Sequence, residues 1–200
     1  MANPIDFYFD FSSPYGYLMS EKIDPLAAAH GRSVNWRPIL LGVVYKTTGA
    51  VAMPLVPLKR PYALRDFERS ARFLDVPLHI PEAFPIPTQH AARAFYWLEG
   101  QDPGRARAFA HAAYRGLFVD GKDISQLEVV LDIGAGLGLA REQFAAALGS
   151  DAVKERLKAA CSAAIDAQVF GSPFVIIDGE PFWGVDRLAQ IERWLKEGGF

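Results

Sequence analysis

Between Ile5 and Leu41 the chain changes period twice, and this constrains the fold more than any other feature. Ile5, Phe7, Phe9 and Phe11 alternate with Asp6, Tyr8 and Asp10, the period-two pattern of a β-strand. Residues 14–29 then read as a helix, opened by Ser13 as cap and Pro14 in the first turn and closed near Gly31. Val34 to Leu41 reads as a second strand, with Trp36 and Ile39 as its bulky members. A strand, a helix and a strand of these lengths make a βαβ unit, whose default is a right-handed crossover between parallel strands.

The far end of the chain carries the complementary half of a sheet. Val153, Leu157, Cys161, Ala164 and Ile165 define a helix face, and residues 173–177 are strand-like. Asp178-Gly179 is a hairpin turn, Glu180 to Trp183 returns, and Leu188, Ile191, Trp194 and Leu195 form a closing amphipathic helix. Between the two halves, residues 42–61 read as a loop, with a helix face at Leu64, Phe67, Ala71 and Leu74. Residues 76–87 are Pro-rich and irregular. Further helices run from Thr88 to Gly100, from Asp102-Pro103 to about Gly116, from the capping-box-like Asp123 and Gln126, and over 139–148. No segment of 43–149 reads as a strand. The order βαβ, helices, αββα predicts an α/β thioredoxin-like fold, residues 1–42 plus 150–200, with a large all-helical insertion at 43–149.

The net charge of −2 gives no polyanion-binding surface, so no nucleic-acid partner is expected. No apolar run is long enough for a membrane span, and no basic-apolar leader precedes the first strand. The one cysteine, Cys161, has no partner for an intramolecular disulfide. Together these point to a cytoplasmic protein. The histidines at 30, 79, 90 and 111 lack ligand spacing, so no metal is expected.

Three places carry chemistry. Ser13-Pro14 opens a helix beside a strand end, where free N–H groups and the helix dipole suit an anion such as a thiolate; the plain alternative is an ordinary cap. Ser172-Pro173 precedes a strand and a hairpin. It fits a cis-proline loop that offers the backbone of Ser172 to an extended ligand, or a simple strand-entry proline. Trp183-Gly184-Val185-Asp186 turns from the last strand into the last helix. Its N–H groups and carboxylate suit an ammonium and a carboxylate held side by side, or Asp186 is only a cap.

These segments, with Trp36 to Gly42 and Pro57 to Tyr62, span nearly the whole chain in one order. In that order the sequence resembles the 2-hydroxychromene-2-carboxylate isomerases and, behind them, kappa-class glutathione transferases and the DsbA-type thioredoxin fold. The resemblance implies glutathione as cofactor and a homodimer. It implies that Ser13 contacts the glutathione sulfur, that Ser172 with Pro173 holds the cysteinyl part, and that Trp183, Gly184, Val185 and Asp186 hold the γ-glutamyl end. Lys46 and Lys59 fall where the family lines its substrate and glycyl-carboxylate side, although a pair of solvated lysines is the plain alternative, and Tyr15 is placed to stack on an aromatic substrate. The implied reaction is cis-trans isomerisation of 2-hydroxychromene-2-carboxylate, or a similar aromatic-degradation intermediate, to trans-o-hydroxybenzylidenepyruvate. A kappa-like transferase acting on electrophilic aromatics and a non-catalytic glutathione- or peptide-binding module are the alternatives. Two positions depart from the family: Ala50 and Pro87 stand where relatives often carry asparagine, both on the substrate side.

Two other readings fail on the sequence. Val129 to Gly138 imitates the strand and glycine loop of a methyltransferase, yet too few residues follow for the rest of that sheet, and Leu139 stands where a third glycine belongs. A dithiol oxidoreductase needs a second cysteine. Cys161 shares an apolar helix face with Leu157 and Ile165, which marks a packed core thiol.

Overall fold

The structure is a computed structural model that describes residues 3–200. A four-stranded mixed sheet in the order β2-β1-β3-β4 organises it. Strand β1 (Ile5–Phe9) pairs parallel with β2 (Val34–Pro38) and antiparallel with β3 (Phe174–Ile177), which pairs antiparallel with β4 (Glu180–Trp183). The crossover between β1 and β2 is helix α1 (Pro14–Ala29). Both N-terminal strands end earlier than their sequence patterns suggest, at Phe9 and Pro38, because the chain leaves the sheet to build a site there.

Helices fill the stretch between β2 and β3: α2 (Leu41–Thr48), α3 (Arg60–Phe73), α4 (Gln89–Glu99), α5 (Pro103–Phe118), α6 (Leu127–Gly136), α7 (Arg141–Gly149) and α8 (Asp151–Asp166). Helix α9 (Leu188–Glu197) closes the chain. Most bounds match the apolar periodicity. Helix α2 does not, since that stretch reads as a loop. Its Gly42, Val43, Val44 and Thr47 are weak helix formers, and no side chain of its own caps it. The cap comes from 31 residues away, where Asp10 Oδ2 accepts the Leu41 N–H at 2.7 Å, and Gly49 at φ 71° ends the helix. The Asp123 expectation is also displaced. That carboxylate accepts the Ser125 N–H at 3.0 Å in a local turn, and α6 starts only at Leu127. The glycine-rich run at 129–138 forms this helix and its end.

Phe7, Phe9 and Phe11 point to one side and pack as a chain of rings. Phe9 meets Phe11 at 5.2 Å, Trp36 at 5.4 Å, Tyr114 at 5.7 Å and Phe95 at 6.1 Å between centroids. All are almost fully buried. Such rings bring large apolar area and an added gain of about 0.5–1.5 kcal/mol per well-placed pair. They fasten α4 and α5 to the sheet and so fix the carboxyl end of β1, where the candidate site lies.

Candidate active site

Three polypeptide segments converge at the carboxyl end of β1. The first is the turn Asp10-Phe11-Ser12-Ser13 that enters α1. Ser13 is the N-cap: its Oγ accepts the Gly16 N–H at 3.0 Å. The same hydroxyl donates to the carbonyl of Ser172 at 3.0 Å. The second segment is therefore the loop before β3, where the Ser172–Pro173 peptide is cis. Ser172 Oγ in turn accepts the Asp10 N–H at 3.0 Å. The third is the turn after β4, tied in by the Gly184 N–H donating to the Pro173 carbonyl at 3.1 Å.

The close fit of the first two segments depends on Gly16. A Cβ there would lie 2.7 Å from the Tyr114 hydroxyl and 2.8 Å from Ser172 Oγ. Tyr114 uses that hydroxyl to donate to the Asp10 carbonyl at 3.0 Å. Gly184 is required for another reason: its φ of 108° belongs to glycine.

Asp10 is a residue the sequence pattern concealed. Alternation makes it a polar member of the first strand, yet it sits one step beyond β1 and is 4% exposed. Its Oδ1 accepts the Ser12 N–H at 2.8 Å and the Thr88 hydroxyl at 2.7 Å, and its Oδ2 accepts the Leu41 N–H. One carboxylate thus joins the starts of α1, α2 and α4. Burial pushes its pKa up, against the lowering effect of those three donors. Thr88 stands at the helix start as expected, but its side chain serves Asp10 and makes no cap bond.

These segments border a cleft of about 1550 Å³. Ser13, Tyr15, Lys46, Lys59, Ser172, Trp183, Gly184, Val185 and Asp186 all line it. Pro173 does not; it is buried beneath the surface, next to Ser172. The Ser172 N–H has no acceptor among the described residues, nor do the Val185 and Asp186 N–H groups. These are donors available to a ligand backbone or carboxylate. Asp186 is exposed and paired with Arg187 at 2.7 Å. Lys46 and Lys59 line the cleft as exposed side chains, and neither has an ion-pair partner among the described residues. Much of the remaining lining is apolar: Val51, Met53, Leu55, Phe84 and Ile86, together with the departing positions Ala50 and Pro87.

The tip of α1 is less open than its sequence suggests. The Ser12 and Gly16 N–H groups are used internally, and the Ser13 N–H donates to the Asp10 carbonyl at 2.9 Å. At the first turn of α1 the Tyr15 N–H lacks an acceptor among the described residues. The Tyr15 phenol donates to Asp66, and its ring packs edge-on against Phe67 at 4.8 Å. Burial and then the bond to Asp66 push the Tyr15 pKa far up, so it stays protonated. Burial alone would raise Asp66, but the Tyr15 hydroxyl and Arg69 together hold its carboxyl below the usual range. Cys161 is buried on α8, accepts the Leu40 N–H at 3.4 Å and has its thiol pKa raised by burial, consistent with a core thiol.

A thioredoxin-type sheet with a hydroxyl at the first helix tip and a cis-proline loop beside it defines a class. The chain belongs to the DSBA-like thioredoxin domain family, which matches residues 4–196. Within it, the chain is 32% identical to the 2-hydroxychromene-2-carboxylate isomerase of Sphingobium xenophagum, across 98% of this chain and 99% of that one. It superposes on the solved structure of a 2-hydroxychromene-2-carboxylate isomerase with a TM-score of 0.88 at 27% identity, covering 98% and 95% of the two chains. It is 25% identical to glutathione S-transferase kappa 1 of Caenorhabditis elegans, across 96% and 91% of the two chains. Among the described residues no helix is long and apolar enough to cross a membrane.

Proposed function

We propose that this protein is a glutathione-dependent isomerase. It converts 2-hydroxychromene-2-carboxylate, or a similar aromatic-degradation intermediate, to trans-o-hydroxybenzylidenepyruvate. One observation carries the reading: a single cleft is lined by the Ser13–Ser172 pair, by two lysines without an ion-pair partner among the described residues and by a set of apolar side chains. The full-length similarity to isomerases of that name supports the choice of reaction.

The donor set fits the tripeptide. The free Ser172 N–H meets the cysteinyl backbone, and Pro173 fixes that loop. The turn from Trp183 through Gly184 and Val185 to Asp186 takes the γ-glutamyl end, with two free N–H groups for its carboxylate and the Asp186 carboxylate for its ammonium. When bound, glutathione would supply a thiolate as a nucleophile for the conjugated double bond and would be recovered unchanged. Ser13 and the tip of α1 favour the charged sulfur; a lowering of ~2 pKa units corresponds to ~2.7 kcal/mol. Ser13 acts as a donor, with no base beside it to make it a nucleophile. Lys46 and Lys59 hold the substrate carboxylate, while Tyr15, fixed by Asp66, and the wall at 50–55 shelter the ring. The working form in this proposal is a cytoplasmic homodimer.

The test is turnover of 2-hydroxychromene-2-carboxylate with and without glutathione. Isomerisation that requires glutathione without consuming it supports the proposal; isomerisation at the same rate without glutathione overturns it. The similarity to kappa transferases, together with the apolar residues at 50 and 87, favours conjugation of electrophilic aromatics as the second reading. Consumption of glutathione with a chlorinated aromatic, and no isomerisation, would establish that instead. Glutathione binding with neither activity would mark a binding module.

A further inference from the structure

The turn into α1 carries two adjacent hydroxyls with different commitments. Ser13 is bonded in both directions, accepting from Gly16 N–H and donating to Ser172 C=O. A carbonyl can only accept, so the Ser13 proton lies in that bond. Ser12 is held the opposite way. Its N–H donates to Asp10 Oδ1 at 2.8 Å, and its Oγ accepts the Ile86 N–H at 3.1 Å. An amide can only donate, so the Ser12 proton is not used in that bond. No group among the described residues accepts it, and Ser12 lines the same cleft.

We propose that the Ser12 hydroxyl is a second hydrogen-bond donor to the anion held at the tip of α1, acting on the cofactor sulfur beside Ser13. This rests on the glutathione-dependent reading above. To donate outward, Ser13 must release the Ser172 carbonyl, whereas Ser12 breaks no protein bond. Its backbone is fixed by a buried carboxylate and its oxygen by Ile86, so only rotation about the C–O bond remains. A donor held in place before the charge arrives is the arrangement that stabilises charge most effectively. Ile86 is one of the apolar residues lining the cleft, so Ser12 ties the tip of α1 to that apolar lining.

The experiment titrates the ultraviolet thiolate absorbance of bound glutathione against pH in the wild type, Ser12→Ala, Ser12→Thr and Ser13→Ala, with turnover measured in parallel. Ser12→Ala is expected to raise the apparent pKa of the bound thiol by about 0.5–1 unit and to lower turnover about 3- to 10-fold, one unit being a tenfold change. Ser12→Thr keeps the hydroxyl and is expected to behave as the wild type. An unchanged thiol pKa in Ser12→Ala overturns the proposal, as does a defect that Ser12→Thr shares in full. If the wild type itself shows no bound thiolate, the glutathione reading falls and this inference with it.

Discussion

The Ser13 hydroxyl donates to the Ser172 carbonyl across 3.0 Å, joining residues 159 apart in sequence. This bond locks the cap of α1 to the cis-proline loop, so one hydroxyl serves helix, loop and proposed chemistry. Ser13→Ala is expected to cut glutathione-dependent turnover by about 10- to 1000-fold, the scale of a lost charge-stabilising donor. Loss of the cap adds a stability cost of about 1 kcal/mol. Steady-state kinetics and denaturant unfolding read the two separately, and unaltered turnover would remove Ser13 from the mechanism.

Gly16→Ala tests the packing of the same junction. Helix propensity alone favours alanine by about 1 kcal/mol. The added methyl would press on the Tyr114 hydroxyl and Ser172 Oγ, neither of which can leave without losing a bond. The expected outcome is a net loss of about 1–3 kcal/mol, as for overpacked cores, and a raised KM for glutathione. A melting temperature at or above that of the wild type would show that the junction is loose.

Tyr114→Phe removes one oxygen from a fully buried site and leaves the Asp10 carbonyl without that donor. The Ser13 N–H still donates to that carbonyl, so the expected cost is that of one hydrogen bond, about 0.5–1.5 kcal/mol, read as a lower urea midpoint with an unchanged slope. A shift within error would show that the Ser13 N–H alone satisfies the carbonyl.

Asp10 gives a pH signature. Its folded pKa lies above the ordinary 3.8, so the folded state binds the proton more tightly than the unfolded chain. Its contribution to stability is complete below that ordinary value and declines as pH rises through the folded pKa. Asp10→Asn lacks this titration. The difference in unfolding free energy between wild type and variant should therefore change with pH across that window and be flat above it. A difference that is constant throughout would show that Asp10 titrates normally.

Cys161 should resist alkylation by iodoacetamide at neutral pH while the protein is folded, since burial both hides the thiol and raises its pKa. Labelling as fast as in denaturant would place the sulfur at the surface.

The sequence by itself determined the elements whose order is written in local periodicity and turn chemistry. Alternating aromatics made β1, Ser13-Pro14 made the start of α1, Asp178-Gly179 made the β3–β4 turn, apolar spacing placed α3, α8 and α9, and Thr88 and Asp102-Pro103 marked the starts of α4 and α5. Family resemblance singled out Ser13, Ser172 and the Trp183 to Asp186 turn, and the fold brings them to one cleft. Only the tertiary structure decided what Asp10, Ser12, Gly16 and Tyr114 do, and that residues 41–48 are helical. Each depends on a group distant in sequence: Asp10 caps α2 across 31 residues and bonds Thr88 across 78, and Tyr114 reaches back 104 to Asp10. Local sequence encodes backbone preference and which face is apolar. It does not encode which buried polar group will meet which donor, because that is fixed only when the packed aromatic core brings the helix starts around one carboxylate.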